Sequence, residues 1–489
     1  MTSPALPPPV APPVVVAPRP FLDDLFGSFW PEQSLPAGPR HVLAALVAGL
    51  LAAIVVPFRE AGLGSFLVLV TAAGVIASAD RRLRTTYHLA GLGLCTLLMA
   101  TVVARDAEWI VALCVLAAAA VAVVVLTEGR SLPALLVSGL AVPLAALRGL
   151  PWLGRSVTVS RTSRNWAPVL RTLAVSAVLV LLFGLLFASA DALFASWAGA
   201  VVPDLSDATV VGRAFFAVVV AGATLTGVYV AVNPPHVEQA ALPEAKPVAR
   251  PFEWLVPVGA VVVLFAMFVV AQLTVMFGGH AYLNRTTGLT YAEYVHQGFG
   301  QLTFATLLTL GVVAVAARKA PRASARERLV LRTVLGVLCL LTLVVVASAL
   351  FRVHVYEEAY GFTRLRLLVS VFEGWLGLVV LLVLGAGLRL HGAWVPRAVL
   401  ITGAVSLLAL ATADPDAWIA RHNVDRFEQT GKVDRVYLAG LSDDALPVLA
   451  RSGFGPACLE ATSSSDNDWL EWNLGRHRAE SAVPSSGCR

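Results

Sequence analysis

The histidines and carboxylates of two polar segments are the residues best suited to chemistry in this chain. His280 and His296 lie in the first segment with Glu293, and His354 precedes Glu357 and Glu358 in the second. If the segments met, these side chains would form a metal or acid–base site. Their spacing matches no established ligand motif, such as paired histidines four positions apart on one helix. The sequence also has no P-loop, dinucleotide-binding glycine motif or serine elbow, so we assign no catalytic, cofactor-binding or metal-binding residue.

Both segments are also rich in tyrosine and arginine, as is the start of the C-terminal tail. Residues 278–300 read GGHAYLNRTTGLTYAEYVHQGFG, residues 352–366 read RVHVYEEAYGFTRLR, and DPDAWIARHNVDRF begins at residue 414. An aromatic belt at the membrane interface and a binding surface both account for the tyrosines. We predict that the three segments pack as one outer-face polar cluster in which Arg364 or Arg366 contacts a carboxylate. Its members are Tyr291, Glu293, Tyr294, His296, Arg352, His354, Tyr356, Glu357, Tyr360, Gly361, Arg364, Arg366, Glu373, Arg421, Asn423 and Arg426.

Glu373 differs from the rest because it lies inside an apolar run. It follows Arg366 by seven residues, which is about two helical turns, so the two side chains share one face of a helix. An ionisable group within a membrane span costs free energy, so its presence there suggests a function by default. An ion pair that merely locks two helices together is the alternative.

The elements that position these residues are membrane helices. Of the 489 residues 57% are hydrophobic and only 14% are charged, and the apolar residues form long runs almost without charge. Strands are excluded because the runs are long and do not alternate. The net charge of +5 fits basic cytoplasmic loops rather than nucleic-acid binding. We therefore predict an all-α polytopic bundle of eleven spans at 42–57, 63–79, 87–104, 108–126, 168–190, 211–232, 252–277, 297–317, 329–351, 367–389 and 394–413.

The basic loops predict the orientation of the bundle. Residues 81–84, 148–171 and 318–332 are rich in arginine and should face the cytoplasm, whereas residues 191–209 contain acids and no basic residue. Two helices already separate the first two basic loops, so the short apolar segment 132–147 should be interfacial or re-entrant. The N-terminus is then inside and the C-terminus outside.

The two ends of the chain differ from the bundle in composition. Residues 1–40 are rich in proline and predict a disordered cytoplasmic tail. Residues 414–455 predict a small helical extracytoplasmic unit, in which Asp416 caps a helix over 417–429 that ends near Gly431. Residues 456–489 predict a flexible tail. Cys458 and Cys488 both fall outside under this topology, where a disulfide between them can persist.

Three motifs in this order resemble a known family. They are TYAEYVHQGFGQL, VYEEAYGFTRLRL and DAWIARHNVDRF with VDRVYLAGLSDDALPVL. Together they resemble the bacterial multi-pass membrane family numbered 4173 among domains of unknown function, to which number 4153 is related, over roughly residues 170–455. The resemblance implies a bundle in the bacterial inner membrane with no established activity. Its characteristic positions are Tyr291, Tyr294, Gly298, Tyr356, Tyr360, Gly361, Thr363, Arg364, Arg366, Arg421, Asn423 and Arg426.

Three functions remain open at this point. A protein that binds or moves a small or lipidic ligand is favoured by the many spans and by Glu373. A scaffold or sensor of a cell-envelope assembly is favoured by the two tails, through which envelope proteins could bind. A membrane enzyme using the outer His, Glu and Tyr residues ranks last because it lacks a motif. The lipid bilayer is the expected partner in every case.

Overall fold

The computed structural model describes Gly27, residues 29–30, 39–158, scattered positions between 172 and 191, and residues 208–240, 245–287, 299–454 and 468–482. Every regular element within these ranges is helical. The bundle contains α1 Pro39–Val55, α2 Leu63–Ala79, α3 Thr86–Ala104, α4 Glu108–Thr127, α5 Leu132–Thr158, α6 Ala208–Val232, α7 Phe252–Thr287, α8 Phe299–Lys319, α9 Ala325–Tyr360, α10 Arg364–Arg389 and α11 Val395–Thr412. A C-terminal unit adds α12 Pro415–Thr430, α13 Arg435–Ala439, α14 Leu446–Arg451 and α15 Leu474–Ala482.

The apolar runs form the predicted helices. Ten of the eleven predicted spans coincide with α1–α4 and α6–α11, while the span at 168–190 lies mostly outside the described residues. Within the described ranges, nine helices are long and apolar enough to cross a membrane, and α1 and α2 are shorter apolar helices. The predicted all-α polytopic fold is therefore confirmed.

The predicted ends of two spans, at residues 277 and 351, are wrong because both helices continue past the apolar run. Residues 352–360 extend α9, and residues 278–287 extend α7. The segment RVHVYEEAY contains no glycine or proline, so nothing in it ends a helix. The helix ends only at Gly361, whose φ of +86° leaves the helical region. The connector between α9 and α10 therefore contains three residues, 361–363.

The C-terminal unit marks one end of the bundle, which we call the upper face. The backbone nitrogen of Leu63 donates to the carbonyl of Trp472 at 3.0 Å, and that of Ala107 donates to the Asp444 carboxylate at 3.0 Å. The unit has its own apolar centre, formed by Ala420, Val424, Leu438, Ala445 and Leu449. The α1–α2, α3–α4 and α9–α10 turns thus share the upper face.

The opposite end, the lower face, is held by contacts between other turns. Arg397, at the start of α11, donates to the carbonyl of Gly129 at 2.7 Å. The backbone nitrogen of Val248 donates to the carbonyl of Lys319 at 3.0 Å. The Arg-rich turn 80–85 and the turn 320–324, which lies within the basic segment 318–332, are both at this face.

Among the residues that the structure describes, the side-chain contacts of helix α5 with α4 and α6 lie near the lower face. Ser138 is 2.8 Å from Thr127 at the end of α4, and the Trp152 ring lies 5.3 Å from that of Tyr229 in the last turns of α6. Residues 138 and 152 are roughly 21 Å apart along a helix, yet both reach the same end of the bundle. The helix continues to Thr158, so the predicted bounds 132–147 and the loop beginning at residue 148 are wrong. Residues 132–154 are long and apolar enough to cross, and their interfacial placement stays a prediction.

Candidate functional site

The α9–α10 connector is bound by α12 through Asn423. Its Oδ1 accepts from the backbone nitrogen of Phe362 at 2.9 Å, and its Nδ2 donates to the carbonyl of the same residue at 2.8 Å. A Cβ on Gly361 would lie 2.7 Å from Asn423 Oδ1, so this close approach and the positive φ both require glycine. Two of the predicted cluster residues therefore have a structural role.

An ion pair between the half-buried Arg364 and the buried Asp416 joins the start of α10 to α12. Arg364 donates to Asp416 through Nε at 3.0 Å and Nη2 at 2.5 Å, which is the predicted contact between Arg364 and a carboxylate. Asp416 also accepts from Trp109 Nε1 at 3.1 Å and from the backbone nitrogen of Ser442 at 2.9 Å. Burial disfavours the charge on Asp416, but the bonds from Arg364 and Ser442 outweigh it and hold the carboxyl pKa below its ordinary value.

Asp416 is therefore not the helix cap that the sequence predicts. Asp414 occupies the position before α12, and its side chain makes no capping hydrogen bond there. The Asp416 carboxylate is fully buried and its oxygens bind four donors from other elements. The four donors explain how a carboxylate remains charged there.

Two other arginines of the predicted cluster, Arg366 and Arg426, bind carbonyls at the end of α9. Arg426 donates to the carbonyls of Glu358 at 2.8 Å and Ala359 at 2.5 Å, which satisfies acceptors left open where α9 ends. Arg366 donates to the carbonyl of Gly361, and its guanidinium lies 4.4 Å from the centre of the Tyr356 ring. These contacts fix the connector.

Glu373 is the polar group of the cluster that lies deepest in the bundle. Glu373 is the tenth residue of α10, roughly 14 Å along the helix axis from its first residue, Arg364. Its side chain is fully buried. Thr303 Oγ1 on α8 donates to Oε2 at 2.9 Å, while Oε1 has no hydrogen-bond partner among the described residues. The suggested pairing of Glu373 with Arg366 is not found, because Arg366 turns back to the connector instead.

A second polar group joins α7 and α9 within the apolar bundle. Gln272 Oε1 accepts from Ser348 at 3.1 Å and from Arg352 Nη2 at 3.0 Å. Glu357, one turn beyond Arg352, is buried, and its Oε1 has no hydrogen-bond partner among the described residues. The sequence analysis missed Gln272 and Thr303, although an amide within a long apolar run is a detectable signal.

Residues 92–452 match the family described as a domain of unknown function, DUF4153. The chain belongs to this family. The matched DUF4153 region begins within α3 and ends just after α14, so it contains Glu373, its partner Thr303 and the Arg364–Asp416 pair. No curated protein and no solved structure shows significant similarity to the chain.

The family match confirms part of the resemblance drawn from the three motifs. The motifs point to the family numbered 4173 and the related number 4153 over roughly residues 170–455, and the match is to DUF4153 and begins at residue 92. It therefore includes α3 and α4, which the motifs did not cover. Helices α1 and α2 and residues 468–482 lie outside the DUF4153 match.

Several predicted residues lie outside the part of the chain that the structure describes. They include the α7–α8 segment with Tyr291, Glu293, Tyr294 and His296, and both tail cysteines, Cys458 and Cys488. Among the described members, His354 and Glu358 form an exposed pair at 3.2 Å, and Tyr360 packs its ring against Tyr356. Arg421 is exposed on α12 away from the connector. The described residues contain no group of three His, Cys, Asp or Glu side chains able to hold a metal.

Proposed function

We propose that this DUF4153 protein is a multi-pass protein of the bacterial inner membrane that binds or moves a small or lipidic ligand at Glu373. The observation that supports the proposal is the fully buried carboxylate with one oxygen lacking a hydrogen-bond partner among the described residues. Buried polar groups in proteins are almost always paired, and an ionisable group within a span marks a functional site by default. We also propose that the chain is related to the family numbered 4173 among domains of unknown function.

The chemistry around Glu373 limits what the ligand can offer. Thr303 supplies one donor to Oε2, so Oε1 can accept a further hydrogen bond or face a positive charge. Burying a carboxylate without a partner in an apolar interior costs roughly several kcal/mol of folding free energy. The ligand we propose therefore presents a proton, a hydroxyl, an amine or another N–H donor to Oε1.

The positions of the turns support an internal N-terminus and an external C-terminus. The basic turns 80–85 and 320–324 lie at the lower face, which we assign to the cytoplasm. Helix α5 starts at the lower face, while α6 starts at the upper face, where Gly212 lies near the Phe58 ring. One crossing must then lie between these two starts. Since the side-chain contacts of α5 with α4 and α6 lie near the lower face, we assign that crossing to residues 168–190 and place α5 along the membrane surface.

The test is mass spectrometry of the full chain purified in mild detergent. We expect a small molecule to copurify with the wild type and to be lost from Glu373→Gln, which keeps the shape and removes the charge. The matched control is Glu358→Gln, since Glu358 is exposed and lies outside the bundle interior. Identical small-molecule contents in the wild type and Glu373→Gln, at equal unfolding temperatures, would overturn the proposal.

A scaffold in an envelope assembly is the second candidate, and the exposed apolar residues of the C-terminal unit favour it. The side chain of Val436 is 85% exposed on α13, at the end of the chain that we place outside. Contact with a partner protein would remove this apolar side chain from water, which is favourable. Proteins that copurify with the wild type but not with Val436→Glu would support the scaffold, and an unchanged set of proteins would exclude this surface.

A further inference from the structure

The C-terminal unit contains a cavity of about 600 Å³ between α12, α14 and α15, which we call the outer cavity. Each of the three helices contributes one exposed arginine to its lining, namely Arg421, Arg451 and Arg478. None of the three forms a hydrogen bond or an ion pair with another described residue, unlike Arg364 and Arg426 of the same region. Three unpaired guanidinium groups around one cavity favour an anion with several acceptor oxygens.

The floor of the outer cavity has the opposite polarity. Asp444 is 4% exposed, and its Oδ2 accepts from the backbone nitrogens of Asp106 at 2.8 Å and Ala107 at 3.0 Å. Its Oδ1 has no hydrogen-bond partner among the described residues, and neither has Oδ1 of Asp414, which also lines the cavity. Burial and the nearby Asp414 carboxylate raise the pKa of Asp444 to about 6, although the backbone hydrogen bonds from Ala107 and Asp106 and the charge of Arg105 oppose the rise. The floor can therefore accept a positively charged donor.

The two polarities together exclude simpler ligands. An anion without a donor would meet the carboxylates of Asp414, Asp444 and Glu428, which also line the cavity. A simple amine would leave the three arginines unused. A volume of about 600 Å³ falls within the range of small-molecule sites. Phosphate fits the three guanidinium groups better than carboxylate, since it presents more acceptor oxygens.

We propose that the outer cavity binds a zwitterion of the phosphoethanolamine type, with the phosphate at Arg421, Arg451 and Arg478 and the ammonium at Asp444. The same chemistry occurs free in solution and as the headgroup of a phospholipid, and the cavity lies at the upper face beside the membrane. Binding here is independent of Glu373, which lies in a different part of the molecule. The two sites can therefore be tested separately.

Calorimetric titration of the detergent-purified full chain with O-phosphoethanolamine tests the proposal. We expect binding that is about tenfold weaker for phosphocholine, which has no N–H donor, and for ethanolamine, which has no anion. Arg451→Ala and Arg478→Ala should each weaken binding by about tenfold or more. Both residues are exposed and unpaired, so the variants should fold normally, and Lys432→Ala outside the cavity is the control.

Nanodiscs distinguish the two sources of the ligand. Protection of the cavity helices from hydrogen exchange in phosphatidylethanolamine nanodiscs, but not in phosphatidylcholine nanodiscs, would identify a lipid headgroup. Binding of free O-phosphoethanolamine without this difference would identify a soluble ligand. The proposal is overturned if neither form binds, if inorganic phosphate or ethanolamine binds equally well, or if both arginine variants bind like the wild type.

Discussion

Replacing Arg364 by alanine should detach the C-terminal unit from the α9–α10 connector. Arg364 supplies two of the four donors that reach Asp416, at 3.0 and 2.5 Å, and it is the residue that neutralises this carboxylate. The substitution leaves Asp416 fully buried with only Trp109 and the Ser442 backbone as donors. Neither of these donors carries a charge.

The cost follows from the burial of the two partners. Removing one member of a buried ion pair costs about 3–5 kcal/mol, because the other charge is left uncompensated. The Arg364 side chain is 34% exposed while that of Asp416 is fully buried, and two donors remain. We therefore expect the lower end, about 3 kcal/mol, which corresponds to roughly 100-fold faster opening of α12.

Hydrogen exchange followed by mass spectrometry measures this opening in peptides from residues 415–430. Arg451→Ala is the matched control and should change the exchange by less than about 0.5 kcal/mol, because Arg451 is exposed and makes no hydrogen bond with another described residue. Adding Asp416→Asn to Arg364→Ala should recover part of the loss, since no buried charge then remains. Unchanged exchange in Arg364→Ala, or full additivity in the double variant, would refute this account.

Three further predictions concern the same unit. The raised pKa of Asp444 means that its charge opposes folding, so the free energy of unfolding should fall by about 3 kcal/mol as pH rises from about 4 to 6. Hydrogen exchange of α14 measures this fall, and Asp444→Asn should abolish it. A Cβ at Gly475 would lie 2.1 Å from Asp444 Oδ1, so Gly475→Ala should lower the stability measured by thermal unfolding by about 1–3 kcal/mol. The control Gly387→Ala, whose Cβ would have no atom within 4 Å, should leave it unchanged. Asn423→Ala removes both hydrogen bonds to Phe362 and should cost about 1–3 kcal/mol, seen as faster exchange of residues 361–366.

The membrane helices could be predicted from sequence because hydropathy reports which residues the bilayer accepts. It does not report where backbone hydrogen bonding ends, so the sequence analysis ended the α9 span at residue 351 although the helix continues to Tyr360. Gly431, with a φ of +69°, was correctly expected to end α12. The difference is that the α12 prediction used a stop signal, whereas the α9 prediction used only the loss of apolar residues.

Side-chain partners were harder to predict because they depend on how helices pack. The contact of Arg364 with a carboxylate could be anticipated from charge pairing, but several acids were available and Asp416 had been expected to cap its own helix. Helical periodicity placed Arg366 and Glu373 on one face, and it could not show that α8 brings Thr303 to that face. Buried His88, 3.4 Å from Asp80 at the lower face, was missed because the turn was considered only for its charge.

The C-terminal unit ties three helical hairpins together at one end. Trp472 holds the α1–α2 turn, Asp444 the α3–α4 turn and Asn423 the α9–α10 connector. Arg476 reinforces this link through Asp106 at 2.7 Å. Because these hairpins cannot spread independently at the upper face, we expect a rearrangement of the bundle to pivot about that end, with the largest displacements near the turns of the lower face. A ligand that reaches Glu373 would then enter from the lower half of the bundle or sideways from the lipid, while the C-terminal unit stays fixed.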